Sequence, residues 1–83
     1  MLLNEIIERN YQATVKRGLI TDKTVLFDFK LKLREEIDEW ENEPNDESEC
    51  ADVILVMLSY CEHYGIDIQK ALEDKTIYNE KRK

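Results

Sequence analysis

Apolar residues recur near the start of the chain at Leu3, Ile6 and Ile7, and Asn10 and Ala13 continue the same face, which is the period of an α-helix. Gly18 stands where such a helix would end, because a residue without a Cβ turns readily into the left-handed region. The pattern predicts a first helix over residues 2–17. Ile20 and Thr21 then read as a hydrophobic staple and N-cap, with Val25 as the staple's partner, opening a second helix that runs to Glu43 and stops before Pro44. The start of that helix carries two periods at once. Val25, Phe27, Phe29, Leu31 and Leu33 alternate as in a strand, while Leu26, Phe29, Leu33, Ile37 and Trp40 form a helical stripe. Helix is the consistent choice, since the stripe continues through Arg34-Glu35-Glu36 and no second strand lies nearby to pair with a lone one.

Pro44-Asn45-Asp46 marks a turn, and a third helix is expected from about Glu47 to Tyr64, ended by Gly65. Cys50, Ala51, Val53, Ile54, Leu55, Val56, Met57 and Leu58 cover its whole circumference, so it should be enclosed on all sides. Asp67 caps a fourth helix, Ile68 to about Arg82, with Ala71, Leu72 and Tyr78 facing inward. The chain thus reads as one all-α domain over residues 1–83, and its two Gly and one Pro are too few to punctuate a many-stranded sandwich. A domain this short hides only about 60% of its unfolded surface. Three partner helices can barely enclose the third one, so assembly into larger bundles, as a homodimer or homotetramer, is expected.

Charge and cysteine usage narrow the partners. Twelve Lys and Arg against 19 Asp and Glu give a net charge of −7, which argues against a grip on a nucleic-acid backbone and so against polymeric DNA or RNA. The start, Met1-Leu2-Leu3-Asn4-Glu5, meets an acid too early for a signal peptide, and the apolar run Val53 to Leu58 is far shorter than the roughly 18 residues of a membrane helix. The expectation is a cytoplasmic protein without a membrane partner. Cys50 and Cys61 are separated by roughly 16 Å along one helix, too far for a disulfide, and read as small core residues.

The chemistry concentrates in one segment. From Glu35 to Asp52 there are ten acids and no Lys or Arg. Glu36 and Glu39 are three apart on the second helix, Glu49 and Asp52 three apart on the third, and residues so spaced share a helix face. A short turn makes the two helices antiparallel neighbours, so the four carboxylates can converge near one end. Like charges so arranged call for a cation, and hard oxygen ligands select Mg²⁺, or Mn²⁺, over zinc. Glu49 has a second reading, as the third-position partner of an Asp46 N-cap. Asp52, between Ala51 and Val53, lies in the apolar wall and there needs a metal or a hydrogen-bonded partner.

Lys75, Asn79 and Arg82 recur at i, i+4 and i+7, a polar face able to hold phosphate oxygens or simply a solvated chain end. His63 lacks the Glu three residues earlier that a di-iron bundle requires and reads as a polar residue at a helix end. Trp40 reads as core, with stacking on a base as the alternative. No Gly-x-Ser-x-Gly, phosphate loop or activated cysteine points to nucleophilic catalysis.

Glu35-Glu36-Ile37-Asp38-Glu39 followed by Glu49-Cys50-Ala51-Asp52 resembles the Glu-Glu-x-x-Glu then Glu-x-x-Asp signature of the MazG-like all-α nucleoside triphosphate pyrophosphohydrolases. The resemblance runs on through Asp52-Val53-Ile54-Leu55, Gly65-Ile66-Asp67 and the Lys75, Asn79, Arg82 tail, spanning residues 26–83. It implies the four-helix unit of that family, Mg²⁺ held by Glu36, Glu39, Glu49 and Asp52, and phosphate contacts from Lys75, Asn79 and Arg82. The implied reaction converts a nucleoside triphosphate substrate to the monophosphate and pyrophosphate, and relatives pair to complete their bundles. Glu35, beside the ligands, is the candidate to orient the attacking water. Two other readings stay open: a phosphoribosyl-ATP pyrophosphohydrolase, and a non-catalytic acidic module that binds a basic protein. Only nine residues, Trp40 to Ser48, separate the two acidic motifs, fewer than in many members, and nothing in residues 1–25 names a base.

Overall fold

The computed structural model describes residues 1–82, which form four helices and no strand: α1 (Leu3–Lys16), α2 (Leu26–Asn42), α3 (Glu47–His63) and α4 (Ile68–Glu80). Two glycines close helices as the sequence predicts. Gly18 (φ 75°) and Gly65 (φ 68°) are left-handed. Each lets the next amide reach back five residues, Leu19 N–H to the Thr14 carbonyl at 3.2 Å and Ile66 N–H to the Cys61 carbonyl at 2.8 Å. That closure satisfies carbonyls at the helix end that would otherwise lack donors.

The packing runs through α3, with α1 and α2 against it. Rising numbers on α1 meet falling numbers on α3: Ile7 shares a hollow with Glu62 and Gly65, Asn10 Nδ2 donates to Ser59 Oγ at 3.1 Å, and Arg17 shares a cleft with Asp52. Along α2, Phe29 meets Tyr60 edge-on at 5.6 Å, and Glu36 meets Glu49 and Asp52. Both helices are therefore antiparallel to α3 and parallel to each other. Residues 18–25 must then cross from one end of the bundle to the other. The 14 residues of α1 are about 21 Å long and eight extended residues reach about 26 Å, so the crossover has little slack. Ile20 is buried and anchors it.

That crossover corrects the expected start of α2. The N-cap is Val25, not Thr21, and Val25 is half exposed rather than a buried staple partner. Thr21 is instead spent on a turn of its own: its amide donates to Thr24 Oγ1 at 2.9 Å and its carbonyl accepts from Thr24 N–H at 3.1 Å. Asp28 Oδ2, 2.9 Å from the Val25 amide, then satisfies the free donor at the true helix start.

Three further expectations change. No residue of α4 is buried, so Ala71, Leu72 and Tyr78 do not face inward within this chain, and Leu72 and Tyr78 are 50% and 57% exposed. Packing covers α3 only on the side of Leu58, Ser59 and Cys61, leaving Ile54 and Met57 exposed. Cys50 and Trp40 are exposed rather than core, while Cys61 is buried and its thiol is pushed up by that burial. In each case a stripe with helical spacing has no second surface within the chain to meet it.

The left-handed closure at Gly65 yields a stability prediction. An added Cβ would meet no atom within 4 Å, so Gly65→Ala carries only the conformational cost of a positive φ, roughly 1–2 kcal/mol. Urea unfolding should show that loss with an unchanged slope. An unshifted midpoint would refute it.

Candidate metal centre

The acidic site is built by two helix segments. Asp46 starts α3: its side chain accepts from the Ser48 amide at 2.9 Å and the Ser48 hydroxyl at 2.8 Å. These bonds hold its carboxyl below the usual range. Glu49 and Asp52 follow in the first turns of α3, on the face turned to α2. Glu49 is no capping-box partner, because the Asp46 amide donates to the Glu43 carbonyl at 3.0 Å instead. The buried Glu49 Oε2 has no hydrogen-bond partner.

Glu36 comes to meet them from α2. It is 7% exposed, and one oxygen, Oε1, is paired with Lys32 Nζ at 3.0 Å one turn away. The hydrogen bond to Glu36 holds the Lys32 ammonium above its ordinary value, so this lysine stays charged. The other oxygen, Oε2, is buried and has no partner. Carboxylate oxygens of Glu36, Glu49 and Asp52 lie within 4.8 Å of one another. A buried acceptor without a donor costs about 1–3 kcal/mol, and more when charged, so two of them on residues whose carboxylates converge make a strong demand for a cation. The donor set is all oxygen and fits a hard divalent ion.

Three of the four expected carboxylates thus converge. Glu39 stands beside them rather than among them, and its carboxyl is raised chiefly because a proton there can bond to Glu36, then by the charges of Glu36 and Glu49. Glu49 is raised too, first by desolvation and then by the surrounding acids Asp46, Asp52, Glu36 and Glu43. Asp52 is exposed, so the apolar-wall argument does not hold for it: its neighbours Ala51 and Val53 leave it an open path to solvent at a helix edge. Glu35 is largely exposed and paired with Lys32 at 3.5 Å.

A cleft of about 500 Å³ opens from this cluster. Glu36, Glu35 and Asp52 lie at one end and the Asn10–Ser59 pair at the other, with Phe29, Ile20 and Leu55 among the apolar lining. Asn10, Thr14 and Arg17, a stripe on α1 at spacings of four and three, supply a wall that sequence reading missed. The spacing is visible in the sequence, but Asn10 reads there as part of the packed face and Thr14 and Arg17 carry no motif of their own. Lys75, Asn79 and Arg82 are not in the lining. On α4, Lys75 Nζ and the Arg82 guanidinium lie 4.6 and 5.9 Å from the Tyr78 ring centre. His63 is a partly exposed polar residue at the end of α3, as expected, and it has both ring nitrogens bonded, to the Tyr11 hydroxyl at 2.8 Å and the Thr24 carbonyl at 2.9 Å.

The raised carboxyls fix a pH signature. Glu39 and Glu49 lose their protons above 4.5 in the fold, so the stability they contribute is full below 4.5 and is lost as pH rises through their folded values. A divalent ion competes with protons for the same oxygens. The melting-temperature rise produced by millimolar MgCl₂ should therefore be absent near about pH 4 and grow as pH passes those values. Glu49→Gln and Asp52→Asn should abolish it. A rise of equal size at both ends of the range, or in both variants, would locate the ion elsewhere.

No protein-family model, curated protein or solved structure matches this chain, so the family likeness rests on the motif residues alone.

Proposed function

We propose that this chain is a Mg²⁺-dependent nucleotide pyrophosphohydrolase of the MazG-like type, cleaving a nucleoside or deoxynucleoside triphosphate to the monophosphate and pyrophosphate. The observation that carries the reading is the buried, unpartnered oxygen of Glu36, which lines a cleft of nucleotide size and converges with Asp52 and with Glu49, whose own buried oxygen also lacks a partner. Glu36, Glu49 and Asp52 would hold Mg²⁺ or Mn²⁺, with Glu39 beside them completing the set. Bound there, the ion would supply charge neutralisation and Lewis acidity to a triphosphate substrate. Glu35 lies in the cleft lining, largely exposed and 3.5 Å from Lys32, so it is the candidate to orient the nucleophile.

Lys75, Asn79 and Arg82 remain the tail's phosphate contacts in this reading. Because α4 buries nothing in its own chain, they would act across an assembly of two or four copies, which would also cover Ile54, Met57 and Leu72. Among the described residues no helix is long and apolar enough to cross a membrane.

The test is pyrophosphate release from a panel of canonical and modified triphosphates with Mg²⁺. Activity should appear on at least one, fall by at least about a hundredfold in Glu36→Gln and Glu49→Gln, and survive in Asp38→Asn and Glu41→Gln. A folded, metal-loaded protein inert on the whole panel would favour the protein-binding module instead. Activity confined to phosphoribosyl-ATP would assign the same chemistry to that nucleotide.

A further inference from the structure

A triphosphate substrate would be a polyanion facing an acidic cleft, and the charges along the cleft wall show which residue of the same chain can answer it. Four of the lining residues are acids, Asp28, Glu35, Glu36 and Asp52, and two are cations, Arg17 and Lys32. Lys32 is engaged, 3.0 Å from Glu36 and 3.5 Å from Glu35. Arg17 makes no ion pair with a carboxylate among the described residues and is exposed. It is the C-cap of α1, and the antiparallel run of α1 on α3 puts it at the Asp52 end of the cleft, away from the Asn10–Ser59 end by roughly 10 Å of helix. Its position is fixed by the Schellman closure at Gly18, in which the Gly18 amide donates to the Val15 carbonyl at 2.9 Å.

We infer that Arg17 is the cleft's own phosphate clamp: its guanidinium takes the non-bridging oxygens of a metal-bound di- or triphosphate held by Glu36, Glu49 and Asp52. The inference rests on the proposed pyrophosphohydrolase site and adds an anion-binding residue that the tail triad does not supply within one chain. Guanidinium suits the task because its planar fork bonds two phosphate oxygens at once and never loses its charge. An unpaired arginine at the metal end also orients the ligand. Phosphates lie toward Arg17 and Asp52, and the remainder of the nucleotide extends along α1 toward Asn10 and Ser59.

Inorganic pyrophosphate with Mg²⁺ is the probe, since it carries no base. Calorimetry should show Arg17→Ala binding it about ten- to hundredfold more weakly, with Mg²⁺ binding alone and melting temperature unchanged and Arg17→Lys in between. In turnover, KM for the best triphosphate should rise more than kcat falls. Wild-type affinity and KM in Arg17→Ala, together with loss in Lys75→Ala or Arg82→Ala, would overturn the inference while leaving the pyrophosphohydrolase reading intact. A wild-type protein that turns over no triphosphate but binds Mg²⁺-pyrophosphate through Arg17 would sink that reading and keep the clamp. Failure of the metal-loaded wild type to bind pyrophosphate at all would overturn the clamp.

Discussion

One imidazole sets the register on which the candidate site depends. The Thr24 carbonyl can only accept, so His63 Nε2 carries a hydrogen and donates it, while Nδ1 faces the Tyr11 hydroxyl. The His63 ring also lies 5.3 Å from Phe29 and 5.0 Å from Tyr64, centre to centre. From a single position on α3 it therefore fastens α1, the crossover and α2. Two helical turns beyond Phe29 stands Glu36, and about three turns before His63 stands Asp52. The aromatic end thus fixes which acids meet at the other end. A slip of one residue between α2 and α3 would turn Glu36 away from Glu49 and give its buried oxygen a different neighbour.

Convergence, not acidity, distinguishes the metal-binding candidates. Of the ten acids between Glu35 and Asp52, only Glu36, Glu49 and Asp52 bring oxygens within 4.8 Å of one another. Most of the rest, Asp38, Glu41, Glu43 and Glu47 among them, are exposed and solvated. What separates Glu36 from them is its place on α2, where the side chain leaves water at the α3 interface but finds only one cation, Lys32, for two oxygens. The imbalance of one ammonium against three convergent carboxylates is local, so surface salt cannot screen it well.

Much of the helical order could be read from the chain, because its punctuation is local: Gly18, Pro44 with Asp46, Gly65 and Asp67 end or begin helices through bonds within a few residues. The pairing of Glu36 with Glu49 and Asp52 was legible for a related reason, since a four-residue turn leaves α2 and α3 little choice of neighbour. What escaped depends on distant contacts. Thr21 satisfies every sequence criterion for an N-cap, yet the crossover needs those residues to span the bundle. The position of His63 at a helix end was legible, but its two bonds were not, because their partners lie 39 and 52 positions away. The α4 stripe showed helical spacing but no partner surface, and spacing alone cannot say whether a face packs within the chain.

The topology also separates the parts of the site by how cheaply they form. The three convergent carboxylates all belong to α2 and α3, a hairpin closed by residues 43–46. The Asn10, Thr14 and Arg17 wall reaches α3 only across a loop many times longer, as the 49-residue separation of Asn10 from Ser59 shows. Loop-closure entropy makes the hairpin the earlier structure and the α1 wall the later one. Cation-binding groups would then gather before the cleft has its third side. An ion captured by the half-formed hairpin would hold α2 and α3 in register while α1 docks, so a cation that binds these carboxylates would take part in folding itself.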